Sequence, residues 1–228
     1  MKKLAIITAR GGSKRIPRKN IKEFCGKPII QYTIDAALQS KAFDTVMVST
    51  DDEEIAHIAK TNGAEVPFMR SEGTSTDTAI TADVLLEVLL NYKEQGSIYE
   101  QFCCLYPAAP FITSNMLTEA MELLSNNNAD SVVPVVRFSF PPQRGFIIKD
   151  GFAEMKYPEN LNTRSQDLEP MYHDSGQFYC AKTEPFMKHK KIFMPNLVPY
   201  IISELDVHDI DTEEDWAIAE WKYKYRKR

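Results

Sequence analysis

The feature that most constrains this chain is an alternation between two hydrophobic periods. Residues 3–8, 45–50, 101–106 and 131–136 are short runs dominated by large apolar side chains. Strands covered on both faces read as near-continuous apolar runs of this kind. Between them lie residues 29–39, about 52–62, 77–92 and 114–125, whose apolar positions recur at helical spacing. In the third of these, Val84, Leu85, Val88 and Leu89 fall on one side. Gly63 is placed to end the second helix, and Ser114 to cap the fourth. Such alternation predicts an α/β fold: a three-layer, doubly wound and mostly parallel sheet with helices on both faces.

The character changes after residue 136. Pro141-Pro142 is followed by a hairpin pattern, 145–148 and 152–155, turning on Asp150-Gly151. A polar irregular stretch covers 158–170, a strand returns at 176–181, and a terminal helix spans about 212–225. The 228 residues, 43% hydrophobic, suit a single domain over 1–228. Residues 138–172 form an excursion from it, either a surface lid or a small inserted dimerisation arm.

Composition excludes several classes. A net charge of −5 does not suggest general nucleic-acid affinity. No apolar run approaches the roughly 20 residues that span a bilayer. The N-terminus begins like a signal peptide, but its apolar run stops at Thr8 and Arg10 follows, so a buried strand is expected instead. Cys25, Cys103, Cys104 and Cys180 form no CxxC pair. Adjacent Cys103 and Cys104 should point to opposite faces of one strand, as reduced thiols in a cytoplasmic protein.

The first strand runs directly into Thr8-Ala9-Arg10-Gly11-Gly12-Ser13-Lys14-Arg15-Ile16-Pro17-Arg18-Lys19-Asn20. Seven basic residues lie from Arg10 to Lys27 against one acidic residue, Glu23. Loops at the carboxyl ends of parallel strands form the usual ligand crevice. Gly11 and Gly12 would let backbone N–H groups approach phosphate oxygens, and Arg10, Lys14 and Lys19 would neutralise a triphosphate and then pyrophosphate. Neither GxxxxGK[ST] nor GxGxxG is present, which argues against a Walker-type ATPase or a dinucleotide site.

Ala9-Arg10-x-x-Ser13-Lys14 followed by Lys19-Asn20 resembles the signature loop of the CMP-sialic acid synthetase family. Ile16–Ile21 and Gly26-Lys27-Pro28-Ile29-Ile30 look closest to its pseudaminic acid cytidylyltransferase branch. The resemblance continues in order through Ser49-Thr50-Asp51, Arg70, Thr76-Asp77-Thr78, Pro107-x-x-Pro110 and Asp209-Ile210-Asp211-Thr212, nearly the whole chain. It implies a Rossmann-like nucleotidyltransferase that joins CMP from CTP to the anomeric hydroxyl of an acidic nine-carbon sugar. Arg10, Ser13 and Lys19 would hold CTP phosphates, and Asn20 and Arg70 would contact the cytidine. Thr78 is a further nucleotide candidate, although Asp77 and Thr78 equally read as the N-terminal cap of the third helix.

Asp209 and Asp211 alternate in an extended segment, which points both carboxylates one way. Two hard oxygen donors on one face suit Mg²⁺, completed by substrate phosphate and water. Asp211 or Thr212 with Asp215 also has the spacing of a capping box for the last helix. Arg10, Lys19 and Asp211 are the catalytic candidates.

On the acceptor side this sequence departs from the sialic acid pattern. Tyr106 replaces the glutamine before Pro-x-x-Pro, and His173-Asp174-Ser175-Gly176 replaces a later Arg-Pro-Asn-Gly. The run from Tyr172 to Tyr179 again resembles the pseudaminic branch. Tyr106, His173, Gln177 and Arg164 are the sugar-side candidates, with Arg137, Arg144, Arg164 and His173 available for the acceptor's carboxylate. His173 reads either as a pocket residue or as a structural histidine. In this family the inserted arm typically crosses to a second subunit and completes its sugar pocket, which implies a homodimer.

Overall fold

The computed structural model describes residues 1–226. The first half builds β1 (Lys3–Thr8), the short hairpin β2 (Glu23–Phe24) and β3 (Lys27–Pro28), α1 (Ile29–Ser40), β4 (Thr45–Ser49), α2 (Glu53–Thr61), the single turn α3 (Glu72–Ser75), α4 (Thr81–Glu94), β5 (Gln101–Leu105), α5 (Ser114–Asn126) and β6 (Ser131–Arg137). The second half adds the hairpin β7 (Phe146–Lys149) and β8 (Phe152–Met155), β9 (Tyr172–Asp174), β10 (Phe178–Lys182), α6 (Thr183–His189), β11 (Leu197–Ile202) and α7 (Glu213–Arg226).

The central sheet runs β11-β6-β10-β5-β1-β4, with β9 paired to β6. β1 is parallel to β4 and β5, and β11 is parallel to β6. β10 lies between β5 and β6 and is antiparallel to both. The expected three-layer, mostly parallel α/β architecture is therefore present.

Side-chain alternation along the strands feeds two cores. Ala5, Ile7, Cys103, Leu105 and Cys180 meet Ile30, Ile34, Leu117, Met121 and Leu124 on the face covered by α1 and α5. Leu4, Ile6, Phe102 and Cys104 meet Leu85, Val88 and Leu89 of α4 and Phe186 of α6 on the other. Cys103 and Cys104 thus point to opposite faces. Cys103, Cys104 and Cys180 are buried thiols outside any disulfide, and burial pushes that of Cys104 up to about 12. Each fully buried Leu or Ile contributes about 1.5–3 kcal/mol over an exposed one.

A third, smaller core explains how the cleft is framed. Phe24 is fully buried, with Tyr32, Trp216 and Tyr223 edge-on to it at 5.6, 5.6 and 5.5 Å between ring centres. This cluster ties the β2–β3 hairpin and α1 to α7, and it includes Ile16 and Ile210. Those two residues belong to the basic loop and to the Asp209-Ile210-Asp211 segment. One aromatic cluster therefore seats both walls of the future site.

Three expectations need correction. The third helix starts at Thr81, not Asp77, because Thr76 and Ile80 are extended and the Asp77 carboxylate is engaged elsewhere. Glu87 of α4 instead accepts from the Ser71 backbone N–H at 2.8 Å and its hydroxyl at 2.7 Å, and from Thr74, which folds 71–75 into its own turn. Burial alone would raise the Glu87 carboxyl, but these donors outweigh it and hold it below its ordinary value. Thr113, not Ser114, caps α5 through the Met116 N–H at 3.3 Å. β9, α6 and β11 are absent from the sequence reading; β11 carries Pro199, which an edge strand tolerates.

Residues 138–172 leave the sheet and return, with Phe138 N–H bonded to Met171 O at 3.0 Å where the excursion closes. Its hairpin turns on Asp150 and Gly151, both at positive φ (50° and 85°), as a two-residue primed turn requires. Phe140, Phe146, Ile148 and Phe152 on this excursion are exposed. No helix among the described residues is long and apolar enough to cross a membrane.

Candidate active site

The basic loop leaves β1 at the carboxyl edge of the sheet and is held in shape by its neighbours. Ala9 N–H bonds Ser49 O at 3.0 Å, and buried Asn20 donates its Nδ2 to Arg10 O at 2.8 Å. Arg18, at φ 57°, grips the Asp52 carboxylate and holds it below the usual carboxylate range. Asp52 also caps α2, accepting from Glu54 and Ile55 N–H at 3.0 Å each. Gly11 lies against this cap: a Cβ there would sit 2.6 Å from Asp52 Oδ2. Its N–H donates to Asp51 Oδ1 at 2.9 Å. The bare backbone at Gly11 thus packs against the α2 terminus, with its N–H held by Asp51 in the nucleotide-free protein.

The loop forms one wall of a cleft of about 690 Å³. Arg10, Ser13, Lys14, Arg15, Lys19 and Asn20 line that wall, and buried Arg70, Asp77, Thr81, Asp209 and Asp211 complete the lining. Lys19 Nζ donates to Ile210 O at 2.8 Å and stands 3.7 Å from Asp211 Oδ1, while Arg15 pairs with Asp211 Oδ2 at 2.7 Å. Arg10 pairs with Asp77 at 2.5 Å, and Lys14 pairs with the same carboxylate. Lys14 and then Arg10 hold the Asp77 carboxyl below its ordinary range.

Arg70 is buried, not an exposed surface arginine. Its Nε donates to Ser49 Oγ at 3.0 Å and its Nη2 to Ser49 O at 2.5 Å. Burial lowers its pKa from the arginine norm, a cost partly offset by Asp51 and Glu87. No carboxylate is ion-paired with it among the described residues. A planar donor fixed this way in the lining of a cleft is suited to reading a base carbonyl.

The expected capping box of α7 exists alongside the carboxylate pair. Thr212 N–H and Oγ1 both donate to Asp215 Oδ2 at 2.8 Å, and Asp215 N–H returns to Thr212 Oγ1 at 3.2 Å. Thr212 therefore does the capping and the Asp211 side chain is left to face the cleft. Asp209 and Asp211 line it together, separated by buried Ile210. No group of three or more His, Cys, Asp or Glu suited to a metal gathers among the described residues. Two carboxylates beside a phosphate-sized basic wall fit Mg²⁺, which keeps waters and takes one or two protein oxygens, rather than a closed His/Cys site.

Two tyrosines, Tyr106 and Tyr179, also line the cleft. Tyr106 OH meets Thr81 Oγ1 at 2.9 Å, and Tyr179 packs edge-on to Tyr106 at 5.8 Å. Tyr179 OH donates to Asp174 at 2.5 Å, and Asp174 also receives Gly176 N–H at 2.9 Å, which shapes the turn lining the cleft. Burial pushes the Tyr106 phenol up to about 12, so both tyrosines act as neutral hydrogen-bonding groups at pH 7.

With this geometry in view, a family model described as cytidylyltransferase matches residues 4–201. The chain belongs to the cytidylyltransferase family. This cytidylyltransferase is 40% identical over 225 residues to a pseudaminic acid cytidylyltransferase of Campylobacter jejuni serotype O:2, covering 98% of this chain and 97% of that one. It is 34% identical to a CMP-N,N'-diacetyllegionaminic acid synthase of Legionella pneumophila, covering 96% and 95%. Among solved structures, a CMP:2-keto-3-deoxy-manno-octonic acid synthetase complexed with CTP superposes with a TM-score of 0.71 at 17% identity, covering 100% of this chain and 99% of that one. That last likeness supports the fold.

Nine of the expected site residues meet in the cytidylyltransferase cleft: Arg10, Ser13, Lys14, Lys19, Asn20, Arg70, Tyr106, Asp209 and Asp211. Gly11, Gly12, Thr78, Gln177, His173 and Arg164 do not line it. Gln177 points away because its Nε2 donates to Asp206 O at 2.7 Å. His173 is exposed on β9 and stacks near Phe138 at 4.8 Å. Arg164 sits on the excursion, paired with Asp167 at 2.7 Å. Sequence reasoning gives no role to Arg15, Thr81 or Tyr179. Arg15 lay in plain sight within the basic loop; Thr81 was hidden inside a helix pattern begun four residues too early.

Proposed function

We propose that this cytidylyltransferase transfers CMP from CTP to the anomeric hydroxyl of a nonulosonic acid, with pseudaminic acid as acceptor, and releases pyrophosphate. The observation that carries this reading is that the basic loop from Arg10 to Lys19 and the two carboxylates of Asp209 and Asp211 line one cleft. Arg10, Ser13 and Lys19 would hold the triphosphate, with Asn20 fixing the loop and Arg70 reading the cytosine. The sugar hydroxyl would attack the α-phosphorus in line, with pyrophosphate leaving toward Lys14 and Lys19. Asp209 and Asp211 would hold Mg²⁺, which when bound neutralises phosphate charge and polarises the α-phosphate. The chain's own contribution is positioning and charge stabilisation, without a covalent intermediate.

Pseudaminic acid is favoured over other acceptors by the 40% identity to the Campylobacter enzyme over nearly the whole chain. The test is pyrophosphate release with CTP and a panel of pseudaminic, legionaminic, N-acetylneuraminic and 3-deoxy-octulosonic acids, scored by the mass of the CMP-sugar. The expected result is turnover with CTP alone among nucleotides and fastest with pseudaminic acid. Faster turnover of any other acid reassigns the acceptor, and release without an acceptor removes the transferase reading.

The same reading includes a homodimer in the cytoplasm. Arg144 and Arg164 lie on the excursion, away from their own cleft, and the exposed Phe140, Phe146, Ile148 and Phe152 give it an apolar surface. Two such arms exchanged between subunits would bring cations to each acceptor site. Mass measured against concentration is expected to give twice the 26.0 kDa chain at assay concentration. A monomer that is fully active would make the excursion a lid.

A further inference from the structure

The basic loop and the 76–80 segment touch through one acidic residue. Asp77 Oδ1 holds Arg10 and Asp77 Oδ2 holds Lys14, so one carboxylate from the 76–80 segment occupies two phosphate-loop cations at once. The base of that segment is firmly anchored. Arg70 N–H bonds Thr50 O at 2.8 Å, Glu87 ties down Ser71 and Thr74, and α4 begins at Thr81. Its tip is not. Within 76–79 the bonds are local, Ala79 N–H to Thr76 O at 3.3 Å and the Thr76–Thr78 hydroxyl contact at 3.3 Å. Among the described residues, the polar ties of 76–79 to the rest of the chain are the two made by Asp77.

We propose that Asp77 is a positioning residue that stands in for nucleotide phosphate: it holds Arg10 and Lys14 across the cleft when no nucleotide is bound and yields them when the triphosphate enters. The inference rests on the reading that CTP binds along the basic loop. A carboxylate offers one charge and two oxygens, whereas a phosphate chain offers several of each, so phosphate wins the exchange through more charge-assisted bonds. Lys14 and Asp77 are both substantially exposed, which keeps the pairs weak enough to break. Two effects follow. The empty loop keeps its cations extended toward the cleft instead of repelling one another. Asp77 also competes with bound phosphates, so it weakens CTP and pyrophosphate alike and hastens product departure.

The test compares wild type, Asp77→Asn, Asp77→Glu and Arg10→Ala by calorimetric titration with CTP and with inorganic pyrophosphate, and by hydrogen exchange. Asp77→Asn is expected to bind both ligands about three- to fivefold more tightly, the scale of losing two exposed competing ion pairs. Its product inhibition by pyrophosphate should strengthen to match. Exchange across 76–80 in the nucleotide-free Asn variant should rise to the level of CTP-saturated wild type, while 71–75, held by Glu87, stays protected. Asp77→Glu should restore wild-type behaviour. If Asp77→Asn leaves CTP affinity unchanged or weakens it while Arg10→Ala abolishes binding, the placeholder role is wrong and the nucleotide site stands. Wild-type CTP affinity in Arg10→Ala overturns both.

Discussion

Replacing Asp211 with alanine is expected to slow pyrophosphate release by about a hundred- to a thousandfold at saturating CTP, the scale of losing one aligned electrostatic partner of a transition state. The protein should remain folded. The Asp211 carboxylate takes part in no cap, since Thr212 and Asp215 complete the α7 terminus between them. Its ion pairs with Arg15 and Lys19 involve partly exposed groups, and such pairs contribute about 0–1 kcal/mol each. Thermal melting and turnover measured on one preparation separate the two effects. A loss of only a few-fold at saturating Mg²⁺ would take Asp211 out of the reaction.

Phe24→Ala is expected to act through the frame instead. Truncating a fully buried Phe costs about 3–5 kcal/mol, which for a chain of this size lowers the melting temperature by about 6–20 °C. Phe24 touches Tyr32, Trp216 and Tyr223, so the loss would loosen α7 from α1 at once. Ile16 and Ile210 belong to the same cluster, and the KM for CTP should therefore rise well below the melting point as the two walls lose their common seat. Calorimetric melting with a CTP titration at 20 °C checks both. A melting shift under about 2 °C, less than 1 kcal/mol is expected to produce, would show that the rings close over the gap.

The sequence was most legible where one period and one chemistry agreed. Runs buried on both faces announced β1, β4, β5 and β6, and the basic loop after β1 announced the cleft. Asp150-Gly151 forced the primed hairpin turn. Legibility failed where tertiary partners override local preference. Thr76–Ile80 continues the apolar spacing of the helix after it, but Thr76 and Ile80 are extended and the Asp77 carboxylate is held by Arg10 and Lys14 of the basic loop. β11 carries a proline and shows mixed burial, so no periodicity marks it. His173 and Gln177 shared a motif-like run with Tyr179, yet His173 is exposed on β9 and Gln177 is buried with its amide on Asp206 O, so neither lines the cleft. The resemblance of the run from Tyr172 to Tyr179 placed these side chains near the cleft; only the fold decides which of them face it.

The position of β10 bears on how the molecule assembles. It fills the slot between β5 and β6, yet it follows both, after the whole excursion has been made. A growing chain that has emerged only as far as residue 137 therefore presents two strands with unsatisfied edges and no neighbour to join them, a template for association with other chains. Long-range closures of this kind form late and slowly. The turn at Gly176, which leads into β10, would consequently be among the last parts of the cleft to take shape, and a fragment ending before it would be prone to aggregate rather than to bind nucleotide.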